Sequence, residues 1–497
     1  MPNHQAGDLH TLGLQGSLMV CGTTSNAGKT TIVAGLCRLL ANSGISVAPF
    51  KAQNMALNSA VTRTGHEIGR AQYLQAQAAR VEPSVSMNPI LLKPTGERSS
   101  QVVVRGRPIG EMSAKEYHDY KPELFDVAIE ALDHLRSTFD VVLLEGAGSP
   151  AELNLLDHDI VNLRLASEAG CVAVLVGDID PGGVFASLYG TVKILPAELA
   201  SLIKGFIINK FRGDPALLLD GTDQLEALCH VPTFGVVPML ADLDLDAEDS
   251  LNVTPSSGSE PSIDVAVVHL PTMSNFTDFD PLRAESHVSI RFVRSVSELG
   301  APDLVILPGT KSTVHDLEWL RTTGLAEQIV RLCQPDTPTT VLGICGGYQM
   351  LGSTIVDPVE SGQGNVQGLG VLDCTTQFAD TKVVARITGR SFDASIDGYQ
   401  IHHGRVTNQK PELGWIYLAD GTIEGTTQAT VYGTTAHGLF DTDEFRQRFL
   451  ATVADHSQKP FTSTVTSFAQ RRNDQLDYLA AHLDSHLDIP TILSLLR

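Results

Sequence analysis

Between Gly16 and Pro238, short apolar runs alternate with helix-length stretches: SLMVCG, TIVAGLCRLLANSG and ISVAPFKAQN, and later FDVVLLEGAG, CVAVLVGDID and KGFIINKF. Strands that are apolar throughout are covered on both faces, so this pattern predicts an α/β unit with a mostly parallel sheet between helices. The stretch from Ala241 to Ser262 is acidic, rich in Ser and Pro and without periodicity, and reads as a linker. The alternation restarts in IDVAVVHL, PDLVILPG and TTVLGICGGYQMLG. The expected organisation is a first domain over 1–242, a linker over 243–262 and a second α/β domain over 263–497.

A formal charge of -22, from 35 basic and 57 acidic side chains, opposes binding to nucleic acid phosphates or anionic lipid and points to a small-molecule enzyme. No apolar run approaches the roughly 18 residues that span a bilayer, and MPNHQAGDLH lacks the layout of a secretory signal, so a cytoplasmic protein is expected. Seven scattered cysteines form neither a disulfide framework nor a metal-ligand spacing.

The segment GTTSNAGKTT, Gly22 to Thr31, lies between an apolar strand and a helix start. Backbone amides in such a loop, with the helix N-terminus behind them, cradle polyphosphate. Lys29 then reaches terminal phosphates, and Thr30 offers its hydroxyl to Mg2+. Five residues separate Gly22 from Gly28, one more than the commonest Walker spacing. Candidate ATP contacts are Gly22, Thr23, Ala27, Gly28, Lys29, Thr30 and Thr31, with Lys51 and Asn209 at the ends of later strands, where a parallel sheet gathers its ligand groups. Glu145, after VVLL, is either a second Mg2+ ligand beside Thr30 or a solvated turn acid. Asn209 could pair with a purine edge or cap the next turn.

From Lys51 to Gly110 there are eight basic residues, Lys51, Arg63, Arg70, Arg80, Lys93, Arg98, Arg105 and Arg107, against three acids, Glu67, Glu82 and Glu97. Such an island can collect a polycarboxylate, with Arg63, Arg70 and Lys93 as candidate contacts, or it can be the solvated face of the helix EIGRAQYLQAQAAR.

In TTVLGICGGYQMLG, Cys345 follows an apolar strand, sits among Gly343, Gly346 and Gly347, and precedes a helix. That is the layout of a nucleophile held on a tight turn, where a helix N-terminus favours the thiolate. The Gly346 amide is placed to hold an oxyanion, and Gly309 in LPGTKS offers a second donor. A thiolate nucleophile needs a base. His437 in TTAHGLFD is the candidate, with His402 and His403 as rivals.

At this point a family resemblance covers nearly the whole chain. KAQNMALNS, EIGRAQYLQAQAA, MNPILLKP, EGAGSPAELNL, GGVFASLYGT, GFIINKFRGD and LPGTKST look, in order, like segments of the cobyric acid synthases, glutamine-hydrolysing enzymes of cobalamin biosynthesis. The first half is similar to dethiobiotin synthetase, whose nucleotide loop has the same longer spacing. The second half resembles class I glutamine amidotransferases, with Cys345 as nucleophile and His437 as its partner. The resemblance implies four successive ATP- and glutamine-dependent amidations that turn an adenosylated cobyrinic acid a,c-diamide into cobyric acid, with a corrinoid polycarboxylate as the ligand of the basic island.

Three positions depart from these patterns. Leu439 stands where class I enzymes carry an acid two residues after the histidine, which leaves a backbone carbonyl or Asp441 to orient His437. Pro181 replaces an arginine before Gly182 and Gly183, and Gln400 replaces an acid in GYQIH. The rival readings are the synthase that makes the a,c-diamide itself and, more distantly, a P-loop switch protein with a non-catalytic amidotransferase-like module. Against the switch, Thr23 stands where those proteins bear a lysine.

Overall fold

The computed structural model of the chain describes residues 14–95, 99–240, 243, 245, 263–463 and 467–496. The expected linker, apart from Leu243 and Leu245, and Glu97 and Arg98 of the basic stretch lie outside them. Among the described residues, 14–56, 68–240 and 471–496 form one compact unit, and 57–67 with 263–470 form a second.

The first unit is built on six parallel strands in the order Thr233–Pro238, Ile203–Phe211, Val172–Asp178, Gly16–Gly22, Val141–Glu145 and Val47–Phe50. Leu18, Val20, Val174 and Val176 are completely buried, as the unbroken apolar runs predict. The register aligns Val20 with Glu145, Gly22 with Val176, and Asp178 with Asn209, so the polar strand ends share one edge of the sheet. A four-stranded sheet from Gln53–Met55, Ile90–Pro94, Ser99–Val104 and Arg107–Ser113 adds a layer that the sequence reading does not anticipate.

The second unit has a parallel run in the order Val288–Val293, Ile263–Val268, Leu304–Leu307, Thr340–Ile344 and Val431–Thr434, closed by antiparallel Thr426–Gln428. A further sheet is centred on the long hairpin of Cys374–Ser391 and Ala394–Asn408 and carries Ala436–His437 on its edge.

The structure divides the chain differently from the sequence reading in two places. The sequence reading carries the second domain to 497, yet the helix Phe468–His486 buries Leu476, Leu479, Ala480 and Leu483 in one core with Leu36 and Leu40 of the first unit. Arg38, itself buried, bonds Asp477 at 2.7 Å and Asn473 at 3.1 Å. Periodicity reveals that helix's apolar stripe but not the core that takes it. Residues 57–67, inside the expected first domain, pack with the second unit.

Candidate active site

The strand Thr340–Ile344 ends at Cys345, whose backbone turns to φ 51°, ψ -109°, and the helix Gly346–Leu351 begins at the next residue. A left-handed non-glycine residue costs on the order of 1–3 kcal/mol and persists only where its surroundings enforce it. Here they do. A Cβ at Gly347 would lie 2.0 Å from the Leu307 oxygen, so only glycine fits behind the nucleophile. The Cys345 Sγ lies 3.8 Å from the Ile401 carbonyl. Burial pushes the thiols of the other six cysteines up, to about 11 for Cys171 and Cys374 and about 12 for Cys333, as expected of core side chains.

His437 is 1% exposed, and its Nδ1 is 2.7 Å from Asp278 Oδ2. Gly438 N–H donates to the other oxygen of the same carboxylate at 2.9 Å. With Nδ1 engaged, Nε2 remains for the Cys345 sulfur, with which the ring interacts. Burial alone would pull the imidazole pKa down, but the Asp278 carboxylate, helped by Cys345, outweighs it and raises the pKa to about 10. Tyr399 stacks on the ring with centroids 5.4 Å apart and planes at 22°. A Cβ at Gly309 would meet His437 Cε1 at 2.9 Å, and one at Gly346 would meet Thr310 Cγ2 at 2.5 Å. Cys345, His437, Gly309 and Gly346 are therefore brought together.

The rival histidines direct Nδ1 at backbone oxygens, His402 at Gly404 O (2.7 Å) and His403 at Ala379 O (3.0 Å). Burial pulls the His402 pKa down to about 4. Neither partner weighed for His437 holds its Nδ1. Asp278, 159 positions upstream, does. The sequence carries one faint signal for it, an acid enclosed by Phe276 and Phe279 in a short turn.

In the first unit, Gly28 takes φ 94° at the head of the helix Lys29–Asn42, and a Cβ there would strike Asn209 Nδ2 at 2.1 Å. Asn209 donates that nitrogen to Ala27 O at 2.9 Å and so braces the phosphate loop, a role that neither of the two readings of it anticipates. Thr23 N–H donates to Val176 O at 2.9 Å and anchors the loop's start, and Thr31 sits in the first helical turn. Lys29 is 4% exposed and donates to the carbonyls of Thr24 (2.8 Å), Ser25 (3.2 Å) and Gly148 (3.1 Å).

Glu145 is 1% exposed and is no solvated turn acid. Its Oε1 accepts from Thr30 Oγ1 and Lys51 Nζ, both at 2.8 Å, and its Oε2 accepts from Gln75 Nε2 at 2.6 Å. Behind it a polar chain runs from Asn54 to Gln72 to Gln75. The helix Arg70–Ala78 therefore buries Arg70, Gln72 and Gln75, contrary to the solvated-face alternative. Gln75 is a site residue that sequence reasoning missed. Lys93 is also buried in this unit, whereas Arg63 is exposed and belongs to the other, so the three candidate corrinoid contacts do not share one unit.

Two family models match this chain. A CobQ/CobB/MinD/ParA nucleotide binding domain covers residues 18–253, and a CobB/CobQ-like glutamine amidotransferase domain covers residues 264–445. A cobyric acid synthase of Rhodococcus jostii is 49% identical over 492 residues, 97% of this chain and 96% of the relative. The chain belongs to the cobyric acid synthase family. Cobyric acid synthases of Streptomyces coelicolor (49% identical, 97% of each chain) and Yersinia enterocolitica (45% identical, 97% of this chain and 98% of the relative) match along the same length. As a cobyric acid synthase family member, the chain is a glutamine-dependent amidating ligase of cobalamin biosynthesis whose first unit is a nucleotide-binding domain. Among the described residues, no helix is long and apolar enough to cross a membrane.

Proposed function

We propose that the chain, acting in the cytoplasm, amidates four carboxylate side chains of an adenosylated cobyrinic acid a,c-diamide, drawing nitrogen from glutamine at Cys345 and activation from ATP at the Gly22 loop. The observation that carries the glutaminase half is the 2.7 Å contact of His437 with Asp278, on a ring whose other nitrogen is left for the Cys345 sulfur. The sulfur attacks the carboxamide carbon of glutamine, and the oxygen draws charge toward the amides of Gly346 and Gly309. As the carbon–nitrogen bond breaks, His437 gives its proton to departing ammonia. Water, deprotonated by His437, then hydrolyses the thioester to glutamate. Asp278 holds the ring's tautomer and stabilises its positive charge.

In the nucleotide-binding unit, a substrate carboxylate oxygen takes the terminal phosphoryl group of ATP and ADP leaves. Ammonia attacks the resulting acyl phosphate and phosphate departs, leaving the amide. Carboxylate is a poor leaving group and phosphate a good one, which is why activation is needed. Lys29 and Lys51 offset charge on the transferring group. Thr30 and Glu145 fit Mg2+, because their oxygens already lie 2.8 Å apart and hard oxygen donors suit that ion. When bound, it would neutralise phosphate charge. Arg70 and Lys93 are the corrinoid contacts proposed within this unit.

The test is incubation with the corrinoid, ATP and glutamine, followed by mass measurement. Four added amides are expected. No addition to the a,c-diamide, with two amides added to cobyrinic acid in its place, would instead support synthesis of the a,c-diamide.

A further inference from the structure

Residues 57–67 interrupt the first unit's stretch of chain and pack with the second. They form a tight hairpin in which Ser59–Val61 pairs with Glu67–Gly69 and Thr62 N–H donates to His66 O at 2.8 Å. Its base is fixed by a buried acid. Glu67 accepts from Ser59 Oγ and from Lys382 Nζ, both at 2.8 Å, and the Glu67 and Lys382 side chains are 0% and 6% exposed. A solvent-facing connection has no need of a buried ion pair, whose removal of one partner is strongly destabilising.

The hairpin's contacts converge on the residues around Cys345. Asn58 Oδ1 accepts from Phe276 N at 3.3 Å, and Asn275 Oδ1 accepts from Ser59 N at 3.0 Å. These bonds clamp the entry to the single-turn helix Phe276–Phe279, which carries Asp278, and Asn275 there is held left-handed at φ 54°. Tyr399, the ring stacked on His437, donates its hydroxyl to Ser59 O at 3.2 Å. Val61 clusters with Tyr399 and Ile401, and the Ile401 carbonyl is the neighbour of the Cys345 sulfur. One short hairpin thus touches the support of the acid, the ring against the base and the strand beside the nucleophile.

We propose that residues 57–67 are the positioning element of the glutaminase. Asn58 fixes the Asp278 turn, and Ser59 fixes the His437 ring through Tyr399. The geometry that liberates ammonia is then set by a stretch of chain that directly continues from Lys51 and Asn54 of the nucleotide-binding unit. This inference rests on Cys345 and His437 being nucleophile and base.

The test uses full-length Asn58→Ala and Tyr399→Phe, with Cys345→Ser alongside. Each is assayed for glutamate release and, separately, for corrinoid amidation driven by ammonium in place of glutamine. A small misplacement of catalytic groups costs up to about a hundredfold, so glutaminase kcat should fall about tenfold to a hundredfold in both positioning variants while KM for glutamine moves less than about twofold. The alkaline limb of the glutaminase pH profile should shift to lower pH, and ammonium-driven amidation should match wild type. Tyr399→Phe removes only a hydroxyl and keeps the stacked ring, so the test stands if Asn58→Ala folds poorly. Wild-type glutaminase rates in both variants, or glutamine- and ammonium-driven activities falling together, would overturn the proposal. Glutaminase surviving in Cys345→Ser would refute the nucleophile assignment instead.

Discussion

Replacing Asp278 by asparagine exchanges one carboxylate oxygen for an NH2 group and should disable the glutaminase. Gly438 N–H donates to Asp278 Oδ1 at 2.9 Å, so an asparagine oxygen will keep that place and turn its NH2 toward His437 Nδ1, now 2.7 Å from Oδ2. An NH2 there donates, so Nδ1 must accept and the ring proton moves to Nε2, the nitrogen left for the sulfur. In that tautomer the ring cannot take the thiol proton. The analogous exchange in a serine protease triad costs roughly 10⁴-fold, and we expect a loss of about a thousandfold in glutaminase kcat, on the order of 4 kcal/mol in the barrier. Loss of the carboxylate also removes the larger of the two influences that raise the His437 pKa to about 10, so the alkaline limb of kcat/KM should move to lower pH. The stability sign follows the raised pKa. The wild-type contribution is fully present below pH 6.5 and fades as pH rises through about 10, so the variant's destabilisation should shrink across that window. Stopped-time assays of glutamate release measure the rate, with ammonium-driven amidation as the folding control. A variant within threefold of wild type at neutral pH, with an unmoved alkaline limb, would refute the argument.

Other perturbations should act on one unit at a time. Gln75→Leu removes the donor to Glu145 Oε2, a charge-assisted bond worth about 1.5–3 kcal/mol, so kcat/KM for ATP should fall about ten- to a hundredfold while glutaminase activity is unchanged. An equal fall in both activities would show that Gln75 serves folding only. Arg446→Met leaves Glu285 buried without its 2.9 Å guanidinium partner, on side chains 0% and 1% exposed. The expected cost is about 3–5 kcal/mol, read in calorimetry as a melting transition lower by roughly 10 °C. An unmoved transition would contradict it.

The parts legible in the sequence are those made by neighbours in the chain. Strand, glycine turn and helix follow one another at Gly22–Thr31 and again at Val341–Gly347, so both functional turns stand out without knowledge of the fold. Asp278 does not, because only the tertiary fold brings it to His437 across 159 positions. Gln72 and Gln75 pass for surface residues, because helical spacing cannot tell a buried polar face that shields a carboxylate from a solvated one. The same limit hides the destination of the helix Phe468–His486 and of residues 57–67. Each has an ordinary local pattern, and only tertiary packing decides which core receives it.

The link between the two chemistries can be read directly by supplying glutamine labelled with 15N at its carboxamide, together with ATP and the corrinoid, and weighing the product. The account predicts that every new amide carries 15N in wild type. Cys345→Ser should transfer none of the label yet resume amidation with unlabelled ammonium. Label appearing in the Cys345→Ser product, or no rescue by ammonium in a folded variant, would contradict the claim that this sulfur releases the nitrogen that the nucleotide-binding unit uses.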